Sequence, residues 1–310
     1  MKELIYGTTA YSVFSNDAKS GKLSHAYMLY FNDVKNLRQA LKIFALKFFG
    51  LNENDGDGKR LLNETLTDCR IYPEDGKKLN ADAVGELLSD SALQPLERQN
   101  KLYVISGFNE ASALLQNKLL KILEEPPRGV YFLLGVTSLA PVLDTVKSRV
   151  KTLTVPPFTV DEIFFALQRK GQNPLNAEAA KSCGGILGEA ENMVEGGWFK
   201  EISDAAREIC TVTKISEIGK TALKYGDVKN KTQLIMQIAL NYRNALNSRV
   251  NGGKPDEVGR AWLTPTLIYA VESADKACAD LKFTAFFQGL LYDFMLRIIE
   301  ENDKWLKLQE

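Results

Sequence analysis

The stretch NKLLKILEEPPR, residues 117–128, places two carboxylates where a helix favours cations. Leu119, Leu120, Ile122 and Leu123 have helical spacing, and Pro126 and Pro127 end the run. Glu124 and Glu125 fall in its last turn, at the negative end of the backbone dipole. A broken local rule points to a constraint from outside the helix. Arg128, or a basic residue on another chain, is the expected partner; two solvated acids are the plainer reading. A second set of carboxylates, Glu53, Asp55, Asp57 and Glu64 with Gly58, falls close to the spacing of a calcium loop. Here Glu replaces the usual first Asp and Arg60 takes a normally apolar position, so a solvated loop is expected. His25 is the only histidine and cannot build a cluster, so its role is expected to be structural. Cys69, Cys183, Cys210 and Cys278 are far apart, form no CxxC pair and are expected as reduced thiols.

What those residues can do depends on the elements that hold them. Five short apolar runs, HAYMLY, CRIYP, KLYVIS, VYFLLGV and VKTLTV, have the character of strands. The amphipathic stretches VKNLRQALKIFALKFFG, ADAVGELLSDSAL, NEASALLQNKLLKILEE and APVLDTVKSR separate them. This alternation predicts a parallel sheet with helices on both faces. Such sheets bind ligands at the carboxyl ends of their strands. VPPFTV, residues 155–160, interrupts both periodicities and marks a boundary. TVDEIFFALQRKG and NAEAAKSCGG then predict a small helical unit. Nearly everything beyond Trp198 has helical periodicity, with NGGKPDEVG as a loop between long helices. The aromatic pairs Phe164–Phe165 and Phe286–Phe287 are expected in the core.

With 39 basic and 39 acidic residues the formal net charge is zero, which argues against binding nucleic acid through bulk positive charge. A 45% hydrophobic and 25% charged composition is ordinary for a soluble globular chain. No apolar run approaches a bilayer span, and MKELIYGTTAYSVFSND lacks the uninterrupted apolar core of a signal peptide. A cytoplasmic location is expected.

SGKLSHAYMLY, KLYVIS, NKLLKILEEPPRGVYFLLGVTS and TVKSRV stand in an order and spacing that resemble the clamp-loader branch of the AAA+ ATPases. Within that branch the chain is most similar to the delta-prime subunits of bacterial DNA polymerase III. Family members carry a HAYLF strand, an LLK-x-LEEPP helix and a T-I-x-SRC segment. The resemblance covers residues 1 to 190, and the helical remainder only by domain order and length. It implies an α/β fold: an AAA+ core with a five-stranded parallel sheet over residues 1–157, a helical lid over 158–203 and an all-α C-terminal oligomerisation (collar) domain over 204–310. It also implies that Ser148 and Arg149 point into a neighbouring subunit's site. There Arg149 would act catalytically in trans on the transferring phosphoryl group, with Ser148 supporting it. A guanidinium suits that task because it is always charged and presents a rigid donor fork. Taken without the resemblance, Arg149 is an ordinary ion pair at a helix end. Val150 replaces the family cysteine at a packing position.

The departures bear on nucleotide binding. Motor subunits follow the HAYLF strand with a glycine-rich phosphate loop ending in Lys and Ser/Thr. Residues 30–38 here are YFNDVKNLR, with no glycine; Leu37 and Arg38 occupy the positions of the lysine and the hydroxyl. Asp33 would repel phosphate. KLYVI runs into Ser106, Gly107 and Phe108 instead of an acidic pair, and Glu110 lies beyond the strand end. In the lid, GGILGEAENM offers Gly188, Glu189 and Ala190 where motors carry a sensing arginine. The four-cysteine zinc module of many relatives is replaced by a segment holding Cys69 alone, so no metal is expected.

The resemblance therefore implies a subunit without intrinsic ATPase activity that binds no cofactor itself, with ATP and Mg²⁺ held by partner motor subunits (gamma/tau). It would join these and delta in a hetero-oligomer that loads a sliding clamp on primed DNA. Contact with the clamp is expected to be indirect, contact with DNA to come through the assembled complex, and no membrane is involved. The alternatives are an active ATPase or nucleotide switch with an unconventional site, and a scaffold outside the clamp loader.

Overall fold

The structure, a computed structural model, describes residues 1–281 and 286–308. It divides into two units, Met1–Asn192 and Met193–Glu310.

The first unit opens with α1 (Lys2–Tyr6) and α2 (Thr9–Lys19), then alternates strand and helix. The order is β1 (Ala26–Phe31), α3 (Leu37–Phe49), α4 (Gly56–Leu62), β2 (Cys69–Tyr72), α5 (Ala81–Ser91), β3 (Lys101–Ile105), α6 (Ala113–Glu124), β4 (Val130–Val136), α7 (Asp144–Lys147) and β5 (Lys151–Val155). Every apolar run singled out in the sequence forms a strand, because each is too short for a helix and bounded by turn residues. All pairings are parallel and the strands lie in the order β2-β3-β4-β1-β5. β3 and β4 are almost wholly buried, as strands covered on both faces must be.

On one face Met28, Tyr103, Ile105, Phe132 and Leu134 pack against Leu119 and Leu123 of α6 and Val84 and Leu87 of α5. Burying each such leucine contributes about 1.5–3 kcal/mol. On the other face α3 approaches β4 at Gly135, where an added Cβ would collide with the side chain of Leu41. β1 lies between β4 and β5, while the chain leaving it crosses to the far edge of the sheet. The strand order therefore reverses beside the carboxyl end of β1, where open parallel sheets place their ligands.

APVLDTVKSR is helical only over Asp144–Lys147. Pro141 has no N–H to give, and Val142 N–H closes a turn onto Leu139 O at 3.2 Å. Leu143 is extended, with its N–H donating to a side chain of α6, so the helix starts only at Asp144. α8 (Val160–Lys170) starts with a capping box between Thr159 and Glu162. α9 (Asn176–Ser182) and α10 (Leu187–Glu195) follow it.

The second unit is helical throughout its described residues. It holds α11 (Trp198–Cys210), α12 (Ile215–Tyr225), α13 (Lys231–Val250), α14 (Glu257–Ala261), α15 (Thr264–Asp280) and α16 (Phe287–Lys307). α14 begins inside the segment NGGKPDEVG, capped by Asp256, whose carboxylate accepts from Gly259 N–H at 2.7 Å. Leu234, Ile238 and Tyr242 of α13 share one core with Leu267, Ala270 and Ala274 of α15 and with Leu291, Phe294 and Ile298 of α16. Trp262 Nε1–H donates to the carbonyl of Cys210 at 2.6 Å, which satisfies the one polar atom of a buried indole.

The aromatic pairs depart from expectation. Phe287 is buried, whereas Phe165 and Phe286 are exposed and Phe164 is half-buried. Neighbouring helical residues point about 100° apart, so Phe164 and Phe165 of α8 cannot both face the core, and Phe286 precedes α16 with non-helical dihedrals.

Candidate functional site: an anchored arginine and a filled loop

α6 forms because Ser112 caps it, Leu115, Leu119, Ile122 and Leu123 line one face, and the two prolines stop it. Its C-terminal turn is held from two sides. His25 Nε2 lies 2.8 Å from the carbonyl of Leu123; a carbonyl only accepts, so Nε2 carries the proton. That carbonyl has no partner within the helix, and the sole histidine supplies one.

The second tie involves Glu124. Arg149 Nε and Nη2 donate to its Oε2 at 3.2 and 3.1 Å. The partner of the anomalous acid is therefore Arg149, not Arg128. A cation does lie at this helix terminus, supplied from 25 residues further along the chain. Glu125 closes the helix through its backbone, donating to Lys121 O at 3.0 Å.

Arg149 is fixed by more than the acid. Its Nη1 donates to Thr145 O at 2.9 Å and to Ser148 Oγ at 3.3 Å, and Ser148 Oγ donates to Thr145 O at 3.0 Å. Four of the five guanidinium donors thus bond within the chain. The side chain is 31% exposed and that of Glu124 57%. The structure brings Ser148 and Arg149 together at the surface, and the ion pair is the one a helix end would make without any functional demand.

A residue with only a weak sequence signal sets the register of this region. Gln116 is 1% exposed. Its Nε2 donates to Ala111 O at 3.0 Å and Pro141 O at 3.1 Å, and its Oε1 accepts from Leu143 N–H at 2.9 Å. One buried amide so locks α6 to the segment entering α7, with Val146 packed beneath. Only the apolar periodicity of α6, with one polar residue on its inner face, hinted at this.

At the switch point beside β1, the chain fills its own loop. Asp33 is 1% exposed. Its Oδ1 accepts from Asn36 N–H at 3.0 Å; its Oδ2 accepts from Asn36 Nδ2 at 3.0 Å and from Gly188 N–H, in the first turn of α10, at 2.8 Å. A Cβ at Gly188 would collide with that carboxylate, so glycine is required there. Glu191, 2% exposed, lies beside it, paired with Lys170 at 2.5 Å and Lys35 at 3.4 Å and accepting from Asn36 Nδ2 at 3.4 Å. The result is two buried acids, one of them paired with two partly exposed lysines, that join the β1 loop to α8 and α10.

A neighbouring cavity of about 250 Å³ is lined by Lys35, Arg38, Glu74, Lys78, Glu110 and Thr137, among others. Its cations are matched: Arg38 pairs with Glu64, and Lys78 lies 3.9 Å from Glu110. Burial alone would raise the Glu64 pKa, but hydrogen bonds from Arg38 and Lys42 outweigh it and hold the carboxyl below its ordinary value. Thr137 N–H donates to Asn109 at 2.9 Å. The calcium-like carboxylates disperse, with Glu53 on Lys2, Asp57 on Arg60 and Arg98, and Glu64 on Arg38 and Lys42. Cys69, Cys183 and Cys210 are buried, Cys278 is half-buried, and all four are free thiols.

Comparison with known proteins covers this region. Residues 7–159 match the family described as DNA polymerase III, delta subunit. That match covers just under half of the chain. Among curated relatives, subunit delta' of DNA polymerase III from Bacillus subtilis is 27% identical over 192 residues, 60% of this chain and 58% of the relative. The Haemophilus influenzae delta' subunit is 36% identical over 88 residues, 28% of this chain and 27% of the relative. These matches span less than two thirds of either relative's length. A gamma subunit-related protein of Thermotoga maritima aligns over 93% of this chain and 98% of its own, at 14% identity and a TM-score of 0.42. The delta-family region contains the sheet, Asp33, α6 and the Ser148–Arg149 pair; α8 and everything after it lie outside. No helix among the described residues is long and apolar enough to cross a membrane.

Proposed function

We propose that this chain is a non-ATPase clamp-loader subunit. It supports ring assembly and supplies Arg149 in trans to a neighbouring ATPase, for ATP-dependent loading of a sliding clamp on primed DNA. In this reading residues 1–157 are a core without nucleotide, 158–203 a lid and 204–310 the oligomerisation collar. ATP and Mg²⁺ belong to gamma/tau-type motor subunits, delta completes the hetero-oligomer, and the assembly works in the cytoplasm.

The observation that carries the reading is the filled loop. A phosphate loop offers backbone N–H groups to an anion. Here the amides of Asn36 and Gly188 already donate to the chain's own carboxylate, Asp33. A nucleotide phosphate would have to displace a buried charge whose hydrogen bonds are satisfied, without the lysine that compensates it in a working loop. Arg149, by contrast, is partly exposed and already oriented.

The test is clamp- and DNA-stimulated ATP hydrolysis by the reconstituted complex, wild type against Arg149→Ala, with assembly followed by size exclusion. A trans-acting arginine is worth about 10³–10⁵ at the site it serves, so that site should fall silent while the complex stays intact. An unchanged rate in an intact complex would reduce Arg149 to a salt bridge. Micromolar, Mg²⁺-dependent binding of a fluorescent ATP analogue to the isolated chain would instead favour an active nucleotide site.

A further inference from the structure

We infer that Glu124 is a positioning residue for Arg149: it holds the guanidinium in the orientation used on a neighbouring subunit's phosphoryl group. The inference rests on the trans-acting reading of Arg149. An arginine side chain has many rotamers, and a charge acting across an interface is useful only when held to within a fraction of an ångström. Ser148 and the Thr145 carbonyl fix one nitrogen, Nη1. A group held at a single nitrogen can still pivot about it. Glu124 removes that freedom by engaging Nε and Nη2 together from another helix.

The acid is itself well placed to do this. Glu124 is the last residue of α6, and that turn is pinned by His25 on the Leu123 carbonyl, by Leu119 and Leu123 in the core, and by the prolines that follow. Gln116 holds the same helix in register with the segment carrying Ser148 and Arg149. A carboxylate beside the arginine also opposes its attraction for phosphate. Glu124 is more than half exposed, however, so water screens its charge, while its geometric restraint is not screened. Placing an acid at an unfavourable helix terminus makes physical sense if the acid's task is to hold this cation.

The test uses the reconstituted complex with five forms of this chain: wild type, Glu124→Ala, Glu124→Gln, Arg149→Ala and the double variant Glu124→Ala/Arg149→Ala. Stimulated ATP hydrolysis gives kcat and KM for each, with assembly checked by size exclusion. Glu124→Ala should lower kcat about three- to tenfold with KM for ATP nearly unchanged. Glu124→Gln, which keeps an acceptor oxygen, should restore most of the loss. In the Arg149→Ala background Glu124→Ala should have no further effect, because a residue acting only through the arginine has nothing left to act on. If Glu124→Ala leaves kcat unchanged while Arg149→Ala lowers it, the positioning role is rejected and the trans-acting arginine stands. An equal loss with and without Arg149 would make Glu124 a structural residue. If Arg149→Ala itself has no effect, both readings fall together.

Discussion

Replacing Asp33 by alanine tests the filled loop most directly. The carboxylate accepts from Asn36 N–H, Asn36 Nδ2 and Gly188 N–H, and all three donors lie in a buried setting. Each buried donor left without an acceptor costs about 1–3 kcal/mol. Two effects reduce the sum. Water enters part of the space left by the side chain, and removing one of two neighbouring buried acids relieves Glu191 of a like charge. The net loss expected for the unit Met1–Asn192 is about 2–4 kcal/mol. Local opening at the Gly188 amide should become more frequent by about 30- to 700-fold, since each 1.4 kcal/mol is tenfold. Native-state hydrogen exchange at that amide measures the effect, and urea unfolding followed by probes in the first unit supplies the stability. Asp33→Asn, which keeps one acceptor oxygen, should fall between wild type and alanine. A loss below about 0.5 kcal/mol with unchanged exchange at Gly188 would refute the argument that this carboxylate ties the β1 loop to α10.

Two further predictions follow from protonation and burial. Glu64 has a folded pKa held below its ordinary value of 4.5, so it adds stability above the unfolded pKa and loses that contribution as pH falls through the folded value. Stability of the first unit should therefore decline on acidification below about pH 4.5. Glu64→Gln should flatten that slope, measured as the urea midpoint against pH; an identical slope would assign the decline to other acids. Among the thiols, burial pushes Cys69 up to about 12 and Cys210 well above its ordinary value, whereas Cys278 is only half-buried. A thiol-specific reagent should label Cys278 first in the native chain and the other three only on unfolding; early labelling of Cys210 would contradict the helical core around it.

Particular residues mark how far the sequence reached. HAYMLY and VYFLLGV could be recognised as strands because a run buried on both faces must be continuously apolar, and that constraint is local. The end of α6 was equally visible, since two prolines forbid the next turn. That the loop after β1 holds no glycine, and Leu37 and Arg38 near its end, could be read from residue types alone. What fills that loop could not be read. Asp33 was legible only as a group that would repel phosphate, because its donor Gly188 lies 155 residues away and glycine leaves no side-chain signature.

The same division separates the acid from its partner. That Glu124 breaks the dipole rule, and so has a constraint from elsewhere, follows from the sequence. That the constraint is Arg149, across 25 residues, follows only from the crossing of α6 with the segment after α7. Gln116 makes the point most sharply: a polar residue on the inner face of an amphipathic helix is an anomaly in sequence and a three-way bracket in space. Periodicity and propensity act within one turn or one strand, so the sequence by itself determined the elements, their order and the glycine-free composition of the β1 loop. Hydrogen-bond partners between elements are fixed by packing, so the tertiary structure alone decided which charge fills the loop and which acid holds the arginine.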